Sequence, residues 1–275
     1  MEVKMIQADF HIHSSFSADS FASMESVVES AIKKNLKHIC FTEHLDYDFP
    51  ASDEYPSEAW LLNIDSYLYE LLLCREKYDD KIKIGFGLEL GLQKQIIDKV
   101  ITASNSQPFD YIIASIHVVD GFDTYDPLYF EGKSRKEAVT GYFETILDNI
   151  KSFDDYDSLG HMDYIIRTLP EGPKFYNYSD YIDLIDEILK TLIKNNKGLE
   201  LNTSALIKGY KNPNPDINVI KRFKELGGEI ITIGSDSHVP QTLGGEFDKA
   251  EEILKAAGFN YYTVFNFRKP EFIRL

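Results

Sequence analysis

MIQADFHIH, residues 5–13, is a short β-branched and apolar run that stops abruptly in histidines, and an amphipathic stretch follows it. The same unit recurs along the chain as HICFTEH (38–44), IKIGFGLEL (82–90), YIIASIH (111–117), DSLGHMD (157–163), GLELNTS (198–204) and EIITIGSDSH (229–238). Runs of this length that break into polar residues read as strands. Between them, segments 24–35, 58–78, 93–104, 135–152, 179–195, 216–226 and 247–257 space their apolar residues as helices do. Ser57 and Ser179 stand where N-caps are expected, and Gly198, Gly227 and Gly258 follow helical stretches as breakers. Alternation of strand and helix builds parallel sheet. Seven units in 275 residues, with no Pro/Gly/Ser-rich linker, predict one closed α/β barrel and a single domain over residues 1–275. The rival is a doubly wound open sheet, but HIHSSFSADS occupies the place of the phosphate-binding glycines that such a sheet carries after its first strand.

A chain with 43% hydrophobic residues can bury a full core, which excludes disorder. Lysine plus arginine total 29 against 45 for aspartate plus glutamate, a net charge of −16 that argues against nucleic acid or an anionic membrane surface as partner. Cys40 and Cys74 lack paired spacing and read as buried thiols of a reducing compartment. The start, MEVKMIQADF, has no basic region leading into an apolar stretch, and no run approaches a membrane span, so a cytoplasmic protein is expected.

Six of the seven histidines (His11, His13, His44, His117, His161 and His238) fall at the C-terminal ends of expected strands. In a β/α barrel those ends converge on the face where chemistry occurs. His38 begins its strand, about 20 Å from His44 at ~3.3 Å per residue, and reads as structural. Asp9, His11 and His13 alternate along one strand, and Asp236 and His238 repeat the pattern on the last, so each pair is expected to point one way. A dry cluster of six imidazoles leaves many polar nitrogens unsatisfied, whereas imidazole and carboxylate together are ligands for zinc, manganese or iron. A metal site is the economical reading. Carboxylates stand at equivalent places in Asp19, Glu89 and Asp236; GLEL occurs twice, ending in Glu89-Leu90 and Glu200-Leu201, and spacing leaves open which glutamate bridges two ions.

HIH with Asp19 eight residues after its first histidine, then TEH, GLE, ASIH, GHMD and GSDSH, resembles in order the motifs of the polymerase and histidinol phosphatase (PHP) superfamily over residues 7–239. SIHVVDG, LELNTSAL, GGEIITIGSDSH and AGFNYYTVFNFRKPEF look most like its histidinol-phosphate phosphatases. The resemblance implies a distorted (β/α)7 TIM-like barrel holding three divalent ions and hydrolysing L-histidinol phosphate, a small phosphate monoester; the alternative is a broader PHP phosphoesterase acting on nucleotides or other small esters. It implies a first ion on His11, His13 and Asp236, a bridge through Glu89 to a second ion on His117 and His161, and a third on Asp19, His44 and His238. Many relatives carry histidine where this chain has Asp19. Aspartate there has a physical rationale: three carboxylates, a hydroxide and a phosphate dianion balance three divalent ions.

Hydroxide between the ions is then the expected nucleophile, with Glu89 and Asp236 as catalytic carboxylates, and no protein nucleophile is needed. Accordingly the chain has no GxSxG elbow and no Walker loop. Arg167 is the best placed guanidinium for phosphate, and Lys208 or Lys211 takes the part of an arginine that relatives carry after the NTSGL segment. Glu43 and Asp163 adjoin ligands and are expected to orient imidazoles, Asp163 alternatively acting as a proton donor. The acidic, aromatic loop VVDGFDTYDPLYFEGKS suits a cationic substrate.

Overall fold

Each apolar run pairs edge to edge with its neighbours because an amphipathic helix follows it and covers the outer face of the sheet. The computed structural model describes residues 6–170 and 172–275; Met1 to Met5, with the start of the first expected strand, and Glu171 lie outside the described residues. In chain order the elements are β1 (Ala8–Ile12), α1 (Met24–Lys33), β2 (His38–Leu45), α2 (Ile64–Tyr78), β3 (Lys83–Gly91), α3 (Ile97–Ser104) and β4 (Tyr111–Ser115). A two-residue hairpin, β5 (Val118–Val119) and β6 (Phe122–Asp123), precedes α4 (Arg135–Ser152), β7 (Ser158–Leu159), α5 (Ile182–Lys194) and β8 (Gly198–Asn202). Then come α6 (Ser204–Ile207), α7 (Ile217–Glu225), β9 (Ile231–Gly234), α8 (Phe247–Ala256) and a terminal hairpin of β10 (Tyr261–Asn266) and β11 (Lys269–Arg274).

Seven parallel strands run in the order β1-β2-β3-β4-β7-β8-β9. The ends meet through a parallel bridge between Ile12 and Ser237, where the Asp236 N–H donates to the His11 carbonyl at 2.8 Å and the His13 N–H to the Ser237 carbonyl at 2.9 Å. The fold is therefore the expected distorted seven-stranded barrel. Tyr111 spans its interior, bonding to Ser158 of β7 and, at 3.0 Å, to Thr232 of β9. Phe10 packs edge-on against Tyr111 and Phe265 stacks under it, so aromatic rings fill the lower barrel and leave the upper end to polar groups. The terminal hairpin closes the floor: Phe267 and Arg268 donate backbone N–H groups to Asp110, and Arg268 Nε reaches Asp157 at 2.5 Å.

Several local expectations change. The run 157–163 keeps only Ser158 and Leu159 as strand, because the His161 N–H turns to the Glu200 carboxylate at 2.8 Å instead of a neighbouring strand. Register shifts between Asp9 and Ile12, and the Asp9 carboxylate accepts from Ser235 and Gly244 rather than pointing with His11 and His13. Asp236 lies beyond β9 with φ 54°, so it and His238 are not an alternating pair on a strand. Ser57 opens a single 3₁₀ turn, and α2 is capped instead by Asn63. Ser179 likewise lies in a 3₁₀ turn before α5. Gly198 begins β8, whereas Gly227 and Gly258, at φ 98° and 91°, do follow α7 and α8. Cys40 and Cys74 are buried free thiols. No helix among the described residues is long and apolar enough to cross a membrane.

Candidate metal centre

Parallel pairing of β2 with β3 sets His44 directly opposite Glu89, and β4 continues the register so that Ser115 stands opposite Gly91. Glu89 thereby comes to the centre of the upper barrel, fully buried. Its Oε2 faces His44 Nδ1 at 2.9 Å, His11 Nε2 at 3.1 Å and His13 Nε2 at 3.5 Å. Its Oε1 accepts from Ser115 at 2.7 Å and faces His161 Nε2 at 2.9 Å and His117 Nε2 at 3.3 Å. One carboxylate thus presents its two oxygens to two groups of imidazoles, the arrangement a bridging ligand needs. Glu200 stands behind His11, with Oε1 at 2.6 Å from Nδ1, so the geometry separates the two glutamates that spacing could not.

Asp236 Oδ1 lies 3.7 Å from His11 Nε2 and 3.6 Å from His13 Nε2. Asp19 Oδ2 lies 3.1 Å from His238 Nε2, and Oδ1 lies 3.7 Å from His44 Nε2. The nine side chains singled out by sequence as ligands therefore converge. His38 does not join them; it packs against the edge of Phe10, and burial pushes its pKa down to about 3.

Hydrogen bonds fix several imidazoles with a bare nitrogen toward the centre. A carboxylate only accepts, so His11 Nδ1 carries the proton given to Glu200, and His117 Nδ1 donates to Asp46 Oδ1 at 2.8 Å. The Ser17 hydroxyl donates to Glu43 at 2.6 Å and so accepts from His13 Nδ1 at 2.9 Å, through which Glu43 orients His13 at one remove. His238 Nδ1 donates to the Asp236 carbonyl at 3.0 Å. Nε2 of His11, His13 and His238, with Glu89 Oε2 and Asp19 Oδ1, are buried without hydrogen-bond partners. Overlapping trios, including His11, His13, Glu89 and Glu89, His117, His161 and His13, His44, His238, hold ligand atoms within 4.8 Å of one another. Orphaned lone pairs facing one another from nitrogen and oxygen donors fit divalent cations, and this is a divalent-metal-binding centre.

The electrostatics agree. Burial pushes Glu89 up, but His11, His44 and His117 outweigh it and hold its carboxyl well below the usual carboxylate range. Burial opposes protonation of His44, yet Glu89 and Asp19 lift its pKa to about 9. Asp236 is likewise held low, against burial, by His11, His13 and His238.

The centre opens on a cavity of about 410 Å³ whose wall includes Arg167, Lys208, Ser204, Tyr125 and Tyr164. Arg167 Nη1 lies 3.5 Å from Asp236 Oδ2. Tyr164 lies against His161 with ring centres 4.7 Å apart, and Tyr125, just after β6, meets Tyr164 edge-on. Lys211 lines a neighbouring cavity instead. Among the described residues Asp163 hydrogen-bonds to no imidazole: Oδ1 accepts from Asn214 at 2.5 Å and Oδ2 from the Asp216 N–H at 2.7 Å, and its carboxyl, pushed up to about 7 by burial, does not line the metal cavity. Sequence reasoning missed Asp46, Ser17, Asn202 and Asn214. Asp46 carried a signal, two residues after His44 in TEHLD; the asparagines meet only through the fold.

Known proteins resemble this chain over nearly its whole length. A histidinol-phosphatase of Lactococcus lactis subsp. lactis is 35% identical over 263 residues, 95% of each chain. A probable histidinol-phosphatase of Clostridium acetobutylicum is 35% identical over 88% of this chain and 90% of its own. The crystal structure of histidinol phosphate phosphatase from Lactococcus lactis, complexed with zinc, L-histidinol and phosphate, superposes with a TM-score of 0.89 at 34% identity, covering 96% of this chain and 98% of that one. The PHP domain model matches residues 9–204, a span that takes in every candidate ligand except Asp236 and His238. A match over most of the chain that also encloses five of the six convergent histidines leaves one conclusion, that this protein belongs to the PHP domain family.

Proposed function

We propose that this protein is a metal-dependent phosphomonoesterase that hydrolyses L-histidinol phosphate to L-histidinol and phosphate. The observation that carries the reading is the convergence of six imidazoles and three carboxylates beside Arg167 in a chain that superposes throughout on a relative holding zinc, L-histidinol and phosphate. Three divalent ions, of zinc, manganese or iron, are assigned to the ligand sets His11, His13 and Asp236, His117 and His161, and Asp19, His44 and His238, with Glu89 between the first two. When bound, such ions lower the pKa of water and neutralise phosphoryl oxygens.

The chain's own groups do the rest. Glu200, Asp46 and Ser17 hold His11, His117 and His13 in the tautomer that leaves Nε2 free. Arg167 presents Nη1 beside Asp236 and binds phosphate oxygens, with the exposed Lys208 at the rim adding a second positive charge; Lys211, which lines the neighbouring cavity, is not assigned this role. Tyr125 and Tyr164 form an aromatic wall against which an imidazole stacks.

Phosphate release from L-histidinol phosphate, AMP and p-nitrophenyl phosphate, with and without added Mn²⁺ or Zn²⁺, tests the reading. The expected result is metal-dependent turnover with about 100-fold or greater preference in kcat/KM for histidinol phosphate. Equal turnover of all three would favour a broad phosphoesterase, and no turnover of any ester by metal-loaded protein would overturn the assignment.

A further inference from the structure

Arg167 is hydrogen-bonded along one edge only among the described residues. Its Nε donates to Asn214 Oδ1 at 2.5 Å and its Nη2 to Asn202 Oδ1 at 3.0 Å, while Nη1 is left on the side of Asp236 and the metal cavity. The side chain is 6% exposed, and the guanidinium lies 5.1 Å from the Tyr164 ring centre. The two asparagines are brought together by a backbone bridge, Asn202 N–H to the Asn214 carbonyl at 2.7 Å and Asn214 N–H to the Asn202 carbonyl at 3.0 Å. Asn214 is itself fixed from behind, because its Nδ2 donates to Asp163 Oδ1 at 2.5 Å and Asp163 Oδ2 accepts the Asp216 N–H at 2.7 Å. Arginine only donates and the carboxylate accepts, so the amide of Asn214 has a single orientation that serves both.

We infer that Asn214, braced by Asp163, is a positioning residue for phosphate recognition: it binds the rear edge of the Arg167 guanidinium and turns the free end into the metal cavity. This rests on the proposed reading of Arg167 as the phosphate-binding arginine. A guanidinium fork matches phosphate oxygens only when its plane is set beforehand, and without the asparagine edge nothing keeps Nη1, already 3.5 Å from Asp236 Oδ2, from closing fully onto that carboxylate. The arrangement also gives Asp163, which hydrogen-bonds to no imidazole among the described residues, a role. Asn202 shares the work but also donates to Glu200 and Asp236, so Asn214, whose side chain hydrogen-bonds only Arg167 and Asp163 among the described residues, is the residue to test.

The experiment is a double-mutant cycle on metal-loaded protein, reading kcat, KM and the Kd of inorganic phosphate, with metal content and melting temperature measured on every variant. Asn214→Ala is expected to lower kcat/KM for histidinol phosphate, and to weaken inorganic phosphate, by about 10- to 100-fold, the range of a lost hydrogen bond to a charged group. In an Arg167→Lys background the same change is expected to cost less than about 3-fold, since lysine has no fork to orient. Asn214→Asp alone sets two carboxylates together and is expected to be worse than alanine. Pairing it with Asp163→Asn restores a donor facing an acceptor and is expected to recover most of the loss. Equal losses from Asn214→Ala in both backgrounds, or no recovery in the exchanged pair with metal content and melting temperature intact, would overturn the proposal. If Arg167→Lys is severe while Asn214→Ala is silent, the positioning role falls and the phosphate reading of Arg167 stands. If Arg167→Lys is itself silent, both fall.

Discussion

Glu89 and Glu200 sit in identical GLEL contexts, and what separates them is the number of bare nitrogens each faces. Glu89 meets five imidazoles with both oxygens, whereas Glu200 meets one ring and spends its other oxygen on the backbone N–H of His161. Glu89→Gln preserves shape but removes the charge and replaces one acceptor with a donor aimed at imidazole nitrogen. The expected outcome is loss of bound metal by elemental analysis and a fall in phosphatase activity of at least about 100-fold. His38→Gln is the matched control, since His38 lies among Phe10 and the strand starts, and its metal content and turnover are expected to stay at the wild-type level. Normal turnover by the Glu89 variant would sink the bridging role.

At the scale of elements, strand order and register do the placing, and one position tests this directly. Gly234 ends β9 where it passes β1, and a Cβ added there would run into His11 Cβ and Glu200 Oε1. Gly234→Ala is expected to cost about 1–3 kcal/mol in denaturant unfolding, as overpacking does, and to weaken metal binding by displacing His11. An unchanged melting temperature with unchanged metal affinity would show that the two strands have more room than the packing implies. All seven barrel strands were legible because fully buried parallel strands read as apolar runs. Candidate ligands at their ends were legible because six of the seven runs stop at or beside a histidine or carboxylate. What was hidden depends on contacts between distant segments. The Glu200 bond shortens β7, the Asp9 bonds to Ser235 and Gly244 accompany the irregular β1, and the terminal hairpin turns on Phe267 and Arg268. Both turn residues adopt positive φ, 48° and 62°, without the Asn-Gly signal that marks such turns. Asp110 and Asp157, far away in sequence, hold that turn in place.

For the whole molecule, the consequence of gathering six histidines and three carboxylates in one buried end is that metal and pH act on stability together. Without metal, Glu89 and Asp19 lift His44 to about 9, and His11, His117 and His238 are raised as well, each against its burial. A histidine whose folded pKa exceeds its unfolded value near 6.5 stabilises the fold fully below that value, and the contribution is lost as pH rises through the folded pKa. The metal-free protein should therefore lose stability between about pH 6.5 and 9. Metal binding has the opposite slope, because ligands must be deprotonated to bind and binding is tighter at higher pH. Asp9 and Asp157, raised by burial to about 6, and Asp163, raised to about 7, favour the fold at lower pH, but none of them is a candidate ligand and they act alike in both forms. They cancel in the difference. The melting temperature of metal-loaded protein minus that of chelated protein is thus expected to widen by about 5 °C or more from pH 6.5 to pH 9. Calorimetry across that range, with and without a chelator, measures it, and a gap that stays constant or narrows would mean that the imidazoles do not exchange protons for metal as the geometry of the centre requires.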